Sequence, residues 1–164
     1  MDVLPTSFSV KIPAVAAIMS SVGYDCSPAS NCIDGNNTQE GDSHCETCHT
    51  LHEPAPWLAI EVQDPVYSVT IYNRGGVSGV RFKNAQVRVI DQLPSSGDSM
   101  YLGGELLGSF SGPGTDGQVI NITGLKPLMG RYVLIQMSNA NEPLNLLEVE
   151  VFSKSPQGEH NNQR

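Results

Sequence analysis

Basic residues, aromatics and long apolar runs are all scarce in this chain, and each shortage removes a class of protein. Only 9 Lys and Arg stand against 17 Asp and Glu, for a net charge of −8 over 164 residues. A surface of that sign repels phosphate backbones, so nucleic acid is not an expected partner. No stretch approaches the roughly 20 uninterrupted apolar residues of a spanning helix, so no membrane insertion is expected. Charged residues make up 16% and aromatics 6%, a low charge density that is common in extracellular β-proteins. Catalytic signatures are missing too. There is no Gly-x-Ser-x-Gly, no His-Glu-x-x-His and no phosphate-cradling loop, so the chain is expected not to be an enzyme.

What remains is enough for one domain. Hydrophobic residues are 39% of the chain, sufficient for a buried core and too many for wholesale disorder. The 16 Gly and 11 Pro exceed what a helical bundle tolerates. No window shows a helical stripe, whereas period-two patterns recur. Strands are expected at Phe8–Ile12, Trp57–Val62, Ser68–Asn73, Arg81–Ile90, Glu105–Phe110, Gln118–Ile122, Arg131–Met137 and Leu144–Phe152. Tyr132–Ile135 is apolar on both faces, as a central strand should be. Seven or eight short strands separated by turn signals predict an antiparallel β-sandwich. Residues 1–7 read as a lead-in, 8–153 as the domain and 154–164 as a frayed tail. Ile12–Met19 is apolar but contains Pro13 and follows the acidic Asp2, so it does not read as a signal peptide. The chain is expected to be a module from a longer protein or an oligomer.

Four cysteines, Cys26, Cys32, Cys45 and Cys48, share one loop rich in Asn, Asp, Ser and Gly. Cys45 and Cys48, flanked by His44, His49 and His52, allow a tetrahedral zinc site or a redox pair. The favoured alternative is two local disulfides, Cys26–Cys32 and Cys45–Cys48, in an oxidising compartment. The triplets Asn36-Asn37-Thr38 and Asn121-Ile122-Thr123 match the N-glycosylation sequon, a short pattern that also arises by chance, and point toward secretion or surface display. Asn31, Asp34, Gly35 and Asn36 offer oxygens around a tight turn. One Asp rarely holds a hard cation alone, so spacing by itself favours a plain Asx-rich turn unless a distant carboxylate such as Glu148 completes it. Arg74 ends one expected strand and Arg81 opens the next. If those strands are neighbours, both guanidinium groups reach one rim, and His49 could join them from the stapled loop. Convergent donors beside an apolar wall are how a sugar site is built.

Taken in order, these segments resemble the F-type lectin (fucolectin) family, a branch of the galactose-binding, discoidin-like sandwiches. Ser30-Asn31-Cys32-Ile33-Asp34-Gly35-Asn36 resembles the family's SNAIDGN segment, and Ser68-Val69-Thr70-Ile71-Tyr72-Asn73-Arg74-Gly75 its VTITNRG strand. Arg81 follows Arg74 at the family interval, and Gly130-Arg131-Tyr132-Val133 and Leu147-Glu148-Val149-Glu150-Val151 resemble later landmarks. The resemblance implies a jelly-roll β-sandwich with a sugar pocket at one loop end. It implies that His49, Arg74 and Arg81 bind a fucose or related hexose on a glycan. It further implies a structural calcium held by Asn31, Asp34, Asn36 and Glu148. The chain departs from the pattern at Gly76, where the family has Asp, and at Val77-Ser78, where it often has a cysteine pair. It also has Leu147 in place of a cysteine and no aromatic just before His49 to form the apolar wall. Two other functions fit the residues: a cell-surface adhesion module without sugar binding, and a zinc or redox module at Cys45 and Cys48.

Overall fold

The structure is a computed structural model that describes residues 8–39, 43–138 and 141–155. Ten strands and three short 3-10 turns make up the regular structure of these residues, with no α-helix. The strands are β1 (Ser9–Ile12), β2 (Ala16–Met19), β3 (Cys48–His49), β4 (Trp57–Glu61), β5 (Val66–Asn73), β6 (Ala85–Ile90), β7 (Glu105–Phe110), β8 (Val119–Leu128), β9 (Tyr132–Met137) and β10 (Asn145–Lys154). They form two five-stranded antiparallel sheets. One has the order β1-β10-β5-β8, with β3 added on β10, and the other the order β2-β4-β9-β6-β7. The chain changes sheet at almost every connection, as in a jelly roll. No helix among the described residues is long and apolar enough to cross a membrane.

The period-two patterns explain the sandwich. In β5, Val69 and Ile71 are buried while Ser68, Thr70 and Tyr72 face outward. Val149 and Val151 of β10, Leu58 and Ile60 of β4, Val87 and Val89 of β6, and Val133 and Ile135 of β9 meet them in one core. The expected two-faced character of residues 132–135 has a concrete cause. β9 is central in its sheet, and its other face packs Tyr132 and Leu134 with Trp57 and Ile90 in a second apolar cluster. The Trp57 indole N–H donates to Ser96 O at 2.9 Å, and Gln136 bonds Ala55, Ser99 and Tyr101, tying the loop over that face.

Several expectations are corrected. Residues 81–90 are not one strand. Val77–Arg81 is a 3-10 turn entered through Gly76 at φ 79°, and β6 starts only at Ala85. Between them Phe82 leaves the strand direction to stack on Phe110, with centroids 5.4 Å apart. Gly79 is needed in that turn because a Cβ there would lie 2.8 Å from Thr115 O. β8 runs to Leu128, well beyond the expected end at Ile122. It tolerates Gly124 and Pro127 because it is the edge strand of its sheet, where a missing N–H costs no ladder bond. β2 and β3 were not expected, and β10 continues through Lys154, which pairs with Ser9, so the tail does not begin there. The expected lead-in 1–7 and the remaining tail from 156 lie outside the described residues.

The disulfides also differ from the local pairing. Cys26 bonds Cys45 and Cys32 bonds Cys48, with Cα–Cα separations of 4.9 and 5.4 Å. Cys48 enters the extended strand β3 beside β10, which carries its sulfur into the core beneath the 3-10 turn Ala29–Ile33, where Cys32 is also fully buried. Cys45 stays on the surface with Cys26. The interleaved bridges close chain segments of 19 and 16 residues, each contributing about 3 kcal/mol by loop-closure entropy. Peptide mapping of unreduced protein should recover the pairs Cys26–Cys45 and Cys32–Cys48. Recovery of Cys45 linked to Cys48 would contradict this arrangement.

Candidate functional site: three basic side chains at a loop end, and a carboxylate pair

The stapled loop returns to the sandwich through β3, where His49 pairs with Asn145 of β10. Asn145 is buried and uses its whole amide. Its Nδ2 donates to Thr47 Oγ1 at 2.6 Å and Cys48 O at 3.0 Å, and its Oδ1 accepts from Arg74 Nη1 at 2.6 Å. Arg74 leaves the end of β5, and its Nε donates to Gly75 O at 3.0 Å. The side chain is only 4% exposed, so its direction is fixed before any ligand arrives. Burial, then the positive charge of Arg81, lower its pKa from the ordinary value. Arg81, at the end of the 3-10 turn, is more exposed and stands 3.6 Å from the Glu142 carboxylate.

His49 is buried as well. Burial lowers its pKa most; the contact to Thr50 O opposes this, and the charges of Arg81, His44 and His52 add to the lowering. The imidazole is therefore neutral near pH 7. Its Nδ1 lies 2.7 Å from the Thr50 carbonyl, which can only accept. The proton belongs on Nδ1, and Nε2 is left as an acceptor. Arg81 is the charge that bears on both other groups, so the structure brings His49, Arg74 and Arg81 to one end of the sandwich. Together they gather one neutral acceptor, the internally held guanidinium of Arg74 and the more exposed guanidinium of Arg81.

Sequence reasoning missed four supporting residues. Tyr24 packs edge-on against His49 at 4.9 Å and tilted against His44 at 4.3 Å. It is half exposed. Asn73 bridges Gly79 O and Thr115 O through Nδ2, at 2.9 Å each, and so sets the turn that carries Arg81. Glu142 pairs with Arg81, and Asn145 holds Arg74. The one available signal was Asn145, a lone amide in the apolar stretch Leu144–Leu147. A separate groove of about 740 Å³ lies on the outer face of the sheet, floored by Tyr72, Val119 and Leu147 and bordered by Gln39, Gly75 and Asp116. It meets the basic cluster at Asn73, Gly75 and Gly76.

The four expected cation ligands divide into two pairs. Asp34 and Glu148 come together. Gly35 N–H donates to Glu148 Oε1 at 3.2 Å, while Glu148 Oε2 is buried with no hydrogen-bond partner among the described residues. Burial is the main cause that pushes the Glu148 pKa up to about 7, and the neighbouring Asp34 adds to it; the Gly35 bond and Lys11 oppose it. The side chains of Asn31 and Asn36 have other work. Asn31 Nδ2 donates to the carbonyls of Cys26, Cys45 and Thr47 at 2.9, 3.0 and 3.1 Å, clamping the loop. Asn36 Oδ1 accepts from Thr38 N and Oγ1. The zinc alternative is overturned. Cys45 and Cys48 each belong to a disulfide, and the tight Cys26–His44–Cys45 group has its two sulfurs joined to each other.

Replacing Asn145 by Ala should remove its hydrogen bonds with Arg74 Nη1, the Thr47 hydroxyl and the Cys48 carbonyl together. A loss of about 1–3 kcal/mol for each buried group left unpaired should appear as a lower urea midpoint, and an unchanged midpoint would refute this role.

No protein-family model matches the chain. Fucolectin-5 of Anguilla japonica is 31% identical over 142 residues, covering 85% of this chain and 68% of that protein. A solved fucolectin from striped bass (Morone saxatilis) serum superposes with a TM-score of 0.72 at 28% identity, over 88% of this chain. This chain spans 48% of that lectin. The lectin domain of lectinolysin, solved with the Lewis B antigen, superposes with a TM-score of 0.64 at 27% identity, covering 85% of this chain and 93% of that one. These relatives are sugar-binding proteins and not enzymes, and the chain, a non-catalytic carbohydrate-binding β-sandwich, belongs to the fucolectin (F-type lectin) family.

Proposed function

We propose that this module binds a terminal fucose, or a related hexose, on extracellular or cell-surface glycans. The observation that carries the reading is the joint fixing of His49 and Arg74 by Asn145, with Arg81 acting on both. Arg74 and Arg81 would donate to ring and hydroxyl oxygens, His49 Nε2 would accept one hydroxyl proton, and Tyr24 would cover the C–H face. The relatives support it: one structural neighbour is a Streptococcus pneumoniae fucose-binding module at 25% identity, and the lectin domain of lectinolysin was solved with the Lewis B antigen. A single small site binds weakly, so strong attachment would require several copies or linked domains.

Arg81→Ala should weaken glycan binding roughly 10- to 100-fold, the value of a charged hydrogen bond. It should leave the melting temperature nearly unchanged, because its pair with Glu142 is half exposed. Tyr24→Ala should cost about 1 kcal/mol, or roughly fivefold in affinity. A glycan array of wild type and both variants measures this. An array without selective fucosylated hits would overturn the reading.

We also propose that Asp34 and Glu148 hold a structural calcium. Three observations support this: two carboxylates lie together, one oxygen is buried with no partner among the described residues, and Glu148 is reluctant to ionise without a counter-charge. When bound, the cation would hold both groups ionised and fasten the stapled loop to β10. The pH dependence follows. Without a cation, folded Glu148 keeps its proton to about 7, whereas the unfolded chain releases it near 4.5. The folded state then binds more protons across that window, so stability falls as pH rises through it. Calcium should cancel this loss. Its stabilisation in thermal melts should therefore grow from about pH 5 to about pH 7.5 and vanish in Glu148→Gln. Equal melting curves with calcium and with chelator at both ends would refute the site.

A further inference from the structure

Five asparagines of this protein fall into two structural groups. Asn31, Asn73 and Asn145 turn Nδ2 inward, donating to three, two and two oxygens. Asn36 and Asn121, which open the two Asn-x-Thr triplets, are bonded the other way round. Asn36 Oδ1 accepts from Thr38 N at 3.2 Å and Thr38 Oγ1 at 3.3 Å, and Asn121 Oδ1 accepts from Thr70 Oγ1 at 2.7 Å. Neither Nδ2 donates to any group among the described residues, and both asparagines and both threonines are exposed. In β8 the exposed Asn121 and Thr123 alternate with buried Ile120 and Ile122, so the triplet faces outward from an edge strand.

We infer that Asn36 and Asn121 are N-glycosylation sites, each carrying an oligosaccharide on the outward Nδ2. The two disulfides form in the same oxidising compartment where such transfer takes place. In the transfer, Nδ2 attacks the anomeric carbon of an N-acetylglucosamine carried on a lipid pyrophosphate. The new bond is N–C, the bond that breaks joins that carbon to the phosphate oxygen, Nδ2 loses one proton, and the lipid pyrophosphate leaves. The reaction acts on extended chain, so the fold need only accommodate the product. It does so here because the oxygen keeps its hydrogen bond while the nitrogen carries the sugar. On β8 the glycan would stand beside the exposed Val119 and Leu125, shielding an open edge from pairing with another sheet.

The test uses the full chain secreted from a eukaryotic cell. Intact mass should exceed the peptide mass by two glycans, and peptide N-glycosidase should remove both. In heavy-oxygen water the released protein should carry labelled Asp at positions 36 and 121. Asn36→Gln and Asn121→Gln should each remove one glycan, and Thr123→Ala should reproduce the second. Labelling of the wild-type peptides decides each site even where a variant is poorly secreted. A secreted chain of bare peptide mass overturns the inference, and an unlabelled position overturns that site.

Discussion

The Asn145 amide is the joint on which the binding end depends. A buried amide must satisfy two donors and an acceptor, and this one divides them between elements far apart in sequence. Its nitrogen fixes the stapled loop through Thr47 and Cys48, and its oxygen fixes Arg74 on β5. Loop and strand cannot move independently without leaving a buried polar group unpaired. The same residue faces His49 across the β3–β10 ladder, so imidazole and guanidinium share one support.

Around that joint the loop has almost no apolar core of its own. Its rigidity comes from the buried Cys32–Cys48 bridge, the surface Cys26–Cys45 bridge and the Asn31 clamp. Crosslinks replace the burial that a segment rich in Asn, Asp, Ser and Gly cannot supply. The pair of Asp34 and Glu148 sits between this loop and β10, where a bound cation would act as one more crosslink.

The binding end itself is preorganised more than it is enclosed. Arg74 is held by its own strand end, and the Arg81 turn is shaped by Gly76, Gly79 and the Asn73 amide. Tyr24 is positioned by two imidazoles. Fixed donors and an aromatic surface cost little entropy when a ligand arrives, which matters where the ligand is small.

Period-two alternation determined the sandwich by sequence alone, because a strand with one buried face must alternate: Val69 and Ile71, Val87 and Val89, Val149 and Val151 all point into the core as read. The candidate site residues His49, Arg74, Arg81, Asp34 and Glu148 were also legible, through the order and spacing of recognisable segments. Tertiary structure alone decided the rest. Cysteine spacing fixes no connectivity, since pairing depends on where β3 carries Cys48. The turn at Val77–Arg81 depends on Phe82 finding Phe110 and on Gly79 passing close to Thr115. The roles of Tyr24 and Asn145 arise from contacts with residues distant along the chain, which a local pattern does not encode.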